Sequence, residues 1–186
     1  MSQIIIVTGL SGSGKTHYLA SLPKDNTNRD YAISLDELTK YYNKREFPKN
    51  KFVKFFISTH SYGNVDSRKI NWNKDKYNIH NDFLKWIKTF DGTFYIEGIH
   101  FFKPKIIDYD LLVENSEGII SLDFSVIRCV SNRIYRCFAK KYTPTYIKLY
   151  NLFRYDLNPI HIVEYFQFKK FKKKMNKRTK GIPMKV

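Results

Sequence analysis

The stretch Gly9-Leu10-Ser11-Gly12-Ser13-Gly14-Lys15-Thr16 constrains this chain more than any other. Three glycines so close together favour neither a strand nor a helix, because glycine gives up the most backbone freedom in either. The loop is preceded by Gln3 to Thr8, a β-branched apolar run. Such a run reads as a strand buried on both faces, as in a parallel sheet. It is followed by Lys15 to about Leu22, which reads as a helix stopped by Pro23. With Tyr31 to Leu35 as the next strand, the order strand, loop, helix, strand is the βαβ order of an open α/β sheet.

The loop matches GxxxxGK[ST] in full, in the strand and helix context that gives the pattern its meaning. Its glycines let successive backbone N–H groups of Gly9 to Thr16 turn inward toward phosphate oxygens, and the helix that follows adds its positive N-terminal end. In such a loop Lys15 reaches the β- and γ-phosphates and the Thr16 hydroxyl ligates Mg²⁺. ATP or a closely related nucleoside triphosphate is the expected ligand. A chance glycine turn is the competing reading, and it does not account for both flanking elements.

The rest of the chain continues the pattern. Tyr31 to Leu35 reads as a second strand closing on Asp36, with Glu37 to Asn43 helical after it. Arg45 to Lys76 carries a weak signal and reads as a substrate-side insertion. Asn81 to Thr89 has helical spacing at Phe83, Leu84 and Ile87, Thr93 to Ile99 reads as the third strand and Gly118 to Asp123 as the fourth. Ser125 to about Lys140 is expected as a long helix. Thr143 to Lys174 is expected as two more, broken around Asn158-Pro159, the last with an apolar face at Phe168, Phe171 and Met175. The fold expected is a P-loop NTPase-type doubly wound parallel sheet with helices on both faces and a helical lid. The 186 residues form one domain, 1–186, with a basic C-terminal helix or tail at about 161–186.

Charge is uneven along this domain. Residues 165–186 carry nine Lys or Arg and no acid, leaving 24 basic against 17 acidic residues, or +7 of the total +16, for residues 1–164. A basic tail suits nucleic acid, an acidic partner or a membrane surface, and a solvated helix end is the plain alternative. The early apolar run is far short of the roughly 20 residues a bilayer span needs, and no basic segment precedes it as in a signal peptide. Cytoplasmic residence is the expectation. Cys129 and Cys137 fit no zinc spacing and read as packed thiols. The five histidines, His17, His60, His80, His100 and His161, make no metal-ligand pair on one element, and Tyr41, Tyr42 and Trp72 suit either core or base stacking.

Two carboxylates fall at expected strand ends. Asp36 stands where ligands of open α/β sheets bind, positioned either to take the proton of an attacking hydroxyl or to cap the next helix. Glu97 closes the apolar run Thr93 to Ile96 and faces the loop, where an acid holds Mg²⁺ or is satisfied within a turn. Arg128, Arg133 and Arg136 follow the fourth strand. The last two, three residues apart, share a helix face, placed either to clamp a γ-phosphate or to be solvated.

With these residues identified, the chain resembles the uridine kinase branch of the P-loop kinases over most of residues 3–137. Four segments carry the resemblance: GLSGSGKT; ISLDELTKYY from Ile33 to Tyr42; YIEGIHFF from Tyr95 to Phe102; and LDFSVIRCVSNRIYRC from Leu122 to Cys137. The resemblance implies γ-phosphoryl transfer from ATP and Mg²⁺ to a nucleoside 5′-hydroxyl, with Asp36 as base, Glu97 near Mg²⁺, and Arg133 and Arg136 as lid arginines. Asn132 and Cys137 depart from the lid pattern, standing where an arginine and an aspartate are expected. The segment Asn71 to Phe83, with Trp72, Asp75, Tyr77 and His80, is loosely similar to the nucleoside-binding stretch. Polynucleotide 5′-kinases share the loop and the second-strand aspartate. The basic tail keeps that alternative open, together with a nucleic-acid-associated nucleotide-binding module that has no small-molecule acceptor.

Overall fold

The structure, a computed structural model, describes residues 2–22, 30–44, 46–60, 72–98, 109–139, 142–178 and 184–185. The strands β1 (Ser2–Gly9), β2 (Asp30–Ser34), β3 (Gly92–Glu97), β4 (Gly118–Leu122) and the short β5 (Met184–Lys185) form one sheet in the order β2-β3-β1-β4-β5. Every pairing is parallel. The apolar run of β1 thus sits between two neighbours, as a strand with no polar face must. Its register brings Val7 opposite Glu97 and Gly9 opposite Leu122, while Ser34 of β2 also lies opposite Glu97. The carboxyl ends of β1, β2, β3 and β4 therefore open on the same edge of the sheet.

Alternation along the strands divides the core into two layers. Ile4, Ile6, Ile33, Phe94, Ile96 and Ile119 point to the larger one. It is completed by α2 (Leu35–Lys44), α3 (Lys51–Thr59), α4 (Trp72–Ile87), α5 (Tyr109–Asn115) and α8 (Ile160–Arg178). On the opposite face, α1 (Lys15–Ser21) places Leu19 against Val7 and Ile120. The chain thus has an α/β fold with a parallel sheet flanked by helices. No helix among the described residues is long and apolar enough to cross a membrane.

Several elements differ from their sequence-based expectation. The second strand ends at Ser34 and α2 begins at Leu35, so Asp36 lies inside the first helical turn and does not cap it from outside. The weak-signal stretch after Arg45 contains α3. Asn50 caps this helix by accepting from the N–H groups of Phe52 and Val53, and Val53, Phe56 and Ile57 supply its buried face. An Asn cap ahead of an i, i+3, i+4 apolar set is a helix signal, and the β-branched and aromatic composition masked it. The α4 helix is longer than its readable apolar stripe. An aromatic cluster joins it to α3 and β3, with Phe52 edge-on to Phe94 at 5.2 Å and Phe56 edge-on to Phe83 at 5.0 Å, geometry that the ring quadrupoles favour.

Between β4 and β5 the described residues are mainly helical. Ser125 caps α6 (Val126–Phe138) by accepting from the Arg128 N–H, and α7 (Thr145–Asn151) runs into a π-helical turn, Leu152–Asp156. Chain direction then changes at Asn158-Pro159, whose missing N–H and fixed φ interrupt a helix. On α8 the residues Glu164, Phe168, Phe171 and Met175 are buried, an i, i+4, i+7, i+11 face docked on the sheet. This docking predicts that Phe171→Ala, at 1% exposure, lowers stability by about 3–5 kcal/mol. The same change at Phe166, 63% exposed, should stay within about 0.5 kcal/mol. Urea denaturation of the two variants checks this, and equal small effects would show that α8 does not belong to the core.

Candidate functional site

Residues 10–14 leave the end of β1 as a tight loop in which the Ser13 N–H donates to the Leu10 carbonyl at 3.0 Å. Gly12 and Gly14 take φ values of +89° and +82°, a region where a side chain is strained. Gly12 is also required sterically. A Cβ there would sit 2.3 Å from the Cys129 carbonyl oxygen, so the α6 backbone packs directly on the loop. Asn132 adds a tie from the same helix by donating to the Gly12 carbonyl at 2.9 Å.

Lys15 begins α1 and is only 7% exposed. Its ammonium donates to the carbonyls of Gly9 at 2.9 Å and Leu10 at 3.0 Å. Burial pushes the Lys15 pKa below the ordinary lysine range, and the carboxylates of Glu97, Glu164 and Asp36 oppose that shift. Next to it, the Thr16 hydroxyl donates to Oε1 of Glu97 at 3.0 Å, and Glu97, the last residue of β3, is buried. A hydroxyl oxygen and a carboxylate from two different elements thus converge on one point.

These groups line a cleft of about 710 Å³ at the carboxyl edge of the sheet. Asp36 reaches it from α2, Glu97 from β3, and Lys15, Thr16 and His17 from α1. The wall facing the loop is the α6 stripe Arg128, Asn132, Tyr135 and Arg136. Arg128 is further fixed by stacking its guanidinium 4.1 Å from the centre of the Phe124 ring. A second cavity of similar size, between α2 and α3, is lined by Tyr41, Phe47, Lys51 and Phe55 and brings no carboxylates together.

The structure divides the two arginines expected on one face. Arg136 is exposed and lines the cleft, whereas Arg133 is 4% exposed, lies behind Gly12 and borders a separate groove with Tyr165 and Phe166. Rotation about the α6 axis explains the division: 128, 132, 135 and 136 form one stripe, and the buried Cys129, Arg133 and Cys137 form the next. Arg128 joins Arg136 in the cleft. Tyr41 and Tyr42 are core residues at 6% and 3% exposure. Burial raises the pKa of the Cys129 thiol, as befits a packing residue. The side chains of Trp72, Asp75 and Tyr77, and all of His100 and Phe102, lie outside the described residues, as do residues 179–183 of the basic tail.

Sequence reading missed Glu164. From α8 this buried carboxylate accepts the Ser11 backbone N–H at 3.3 Å through one oxygen and approaches His161 Nδ1 at 2.6 Å through the other. It braces the loop across 153 positions of sequence. The capping geometry of the helix gave no hint of this. The only available signal was one acid on a helix face that is otherwise apolar.

Among the described residues no group of three or more His, Cys, Asp or Glu side chains is placed to hold a metal ion. Thr16 and Glu97 supply two oxygen donors, the partial set typical of a cation that arrives with phosphates and keeps its waters. Comparison with known protein families and with curated proteins finds no match to this chain. The functional reading therefore rests on the chemistry of the cleft.

Burial of the Lys15 ammonium has a pH signature. The folded pKa is lowered, so between it and the unfolded value of about 10.4 the unfolded chain binds more protons and stability rises with pH. The melting temperature of the wild type relative to Lys15→Met should therefore increase as pH is raised toward about 10. A constant difference across that window would mean that the ammonium is not desolvated.

Proposed function

We propose that this chain is a P-loop phosphotransferase that moves the γ-phosphoryl group of ATP to a nucleoside hydroxyl. The observation that carries this reading is the convergence of Lys15, Thr16, Glu97 and Asp36, from three separate elements, on one cleft at the carboxyl edge of a parallel sheet. Ligands of open α/β sheets bind at that edge. The loop N–H groups and the Lys15 ammonium suit the β- and γ-phosphates, and Thr16 and Glu97 would hold Mg²⁺, which supplies charge neutralisation when bound. The uridine kinase resemblance agrees with each of these placements.

In this mechanism the acceptor oxygen attacks the γ-phosphorus, its proton passes to the Asp36 carboxylate, and the bond from the γ-phosphorus to the bridging β-oxygen breaks to release ADP. The protein contributes mainly position and charge. Arg128 and Arg136 line the wall opposite the loop and are placed to meet negative charge that builds on the transferring group. In this reading α6 is the helical lid, and Arg133 supports the loop from behind without touching phosphate.

The test separates binding from transfer. Lys15→Ala should abolish productive ATP binding, because the point charge on the β- and γ-phosphates is lost. Asp36→Asn preserves size but not the proton acceptor. It should leave ATP affinity within a fewfold of wild type while slowing transfer to a nucleoside by at least about a hundredfold, the low end for a general base. Affinity by calorimetry and transfer from labelled ATP, measured on both variants, check this. Near-normal transfer by Asp36→Asn would refute the assigned role.

A further inference from the structure

Sixteen large apolar side chains are exposed among the described residues, and fourteen of them fall between Val126 and Phe166. The same part of the chain is strongly cationic. Residues 126–178 hold fourteen Lys or Arg against two acids, a net +12, whereas the remaining residues hold nineteen against fifteen, a net +4. Apolar exposure and positive charge thus coincide in one stretch of the chain, after β4.

The arrangement is most regular on α7. This helix buries none of its side chains. Tyr146 and Tyr150 are 73% and 54% exposed, and their i, i+4 spacing places them on one face, with Phe153, 68% exposed, following in the π-helical turn. A row at this spacing ordinarily faces a core, and here it faces outward. Arg154 packs its guanidinium 5.4 Å from the centre of the Tyr150 ring and donates to the Tyr150 hydroxyl, a cation and π pair already set in place. Four residues of helix lift Tyr150 above Tyr146 by about 6 Å, near twice the roughly 3.4 Å repeat along a nucleic-acid strand, which leaves room for a base between them.

The row also leads to the cleft. Cys137 Sγ donates to the Lys148 carbonyl at 3.0 Å, and Lys148 Nζ donates to the Phe138 carbonyl at 3.1 Å. These bonds join the middle of α7 to the end of α6, where exposed Tyr135 and Arg136 line the cleft itself. An aromatic and cationic surface therefore begins at the site and runs away from it.

We propose that this surface binds single-stranded polynucleotide and presents its 5′-terminal nucleoside to the cleft. Rings that stack on any base, interspersed with cations that meet the backbone, form the usual platform for single strands. The net +12 of residues 126–178 suits a polyanion. Delivery to Asp36 rests on the phosphotransfer reading, whereas binding to the surface does not. The transfer is the one already balanced above, with the strand's 5′-hydroxyl as the attacking oxygen and ADP as the leaving group.

A 3′-labelled, 5′-hydroxyl oligothymidylate of about 16 nucleotides, the upper end of a single-strand site, tests the proposal by fluorescence anisotropy on the full chain. Binding should fall linearly in log K against log salt. The variant Tyr146→Ser/Tyr150→Ser should bind at least about tenfold more weakly with an unchanged melting temperature, because both side chains are exposed. Phe47→Ser, whose side chain is 78% exposed outside this surface, should bind the strand like the wild type. In labelled-ATP assays kcat/KM should be higher for the oligonucleotide than for free thymidine, and the double variant should lose that excess.

Absence of salt-dependent binding, or equal binding by the double variant, would overturn the proposal. So would phosphatidylglycerol vesicles displacing the strand and losing affinity in the double variant, since that assigns the surface to lipid. Failure of the phosphotransfer reading looks different: the strand would bind and neither acceptor would be phosphorylated. Transfer to free thymidine without strand binding would instead remove the surface and leave the phosphotransfer reading intact.

Discussion

Burying one ammonium organises this molecule. Lys15 lies at the start of α1, almost out of contact with water, and desolvation of a cation is tolerated only where dipoles and opposite charges replace its hydration. The replacements come from separate parts of the chain. Two are carbonyls of the loop itself, and three are carboxylates on β3, α2 and α8. The parallel register that sets the ends of β1, β2 and β3 side by side brings Glu97 and Asp36 close enough to act. The electrostatics of the cleft are thus a consequence of sheet topology.

The loop is braced from two further directions. Gly12 lets α6 approach until backbone meets backbone, and Asn132 secures that contact through a side-chain bond to the loop carbonyl. On the other side Glu164 holds the Ser11 N–H. The short amide of Asn132 holds loop geometry and leaves the positive charge of the wall to Arg128 and Arg136. For the proposed transfer this separates two duties, with neutral and acidic groups shaping the loop and cations facing the cleft.

Charge and exposure extend the same logic outward. The first two thirds of the chain are nearly balanced in charge, while the residues after β4 carry most of the positive excess and, among the described residues, most of the exposed large apolar side chains. A surface of that composition is costly to leave in water without a partner. Its adjacency to the cleft, through the bonds between α6 and α7, is what ties it to the proposed chemistry and suggests an extended acceptor.

Much of this was legible in the sequence, because the relevant signals are local. The apolar run of β1, the glycine loop, the start of α1, the strand ending at Glu97 and the buried face of α8 each follow from periodicity or from one residue's backbone preference. The sequence alone also determined that a glycine loop links the first strand to the first helix of an α/β fold and that positive charge gathers toward the end of the chain. Tertiary structure alone decided which arginine enters the cleft, that Asn132 and Glu164 reach the loop, and that Tyr41 and Tyr42 are core. The reason is geometric. A helix repeats every 3.6 residues, so residues three apart are divided or united by a rotation of a few tens of degrees. That rotation is set by packing against distant segments, which no local pattern records.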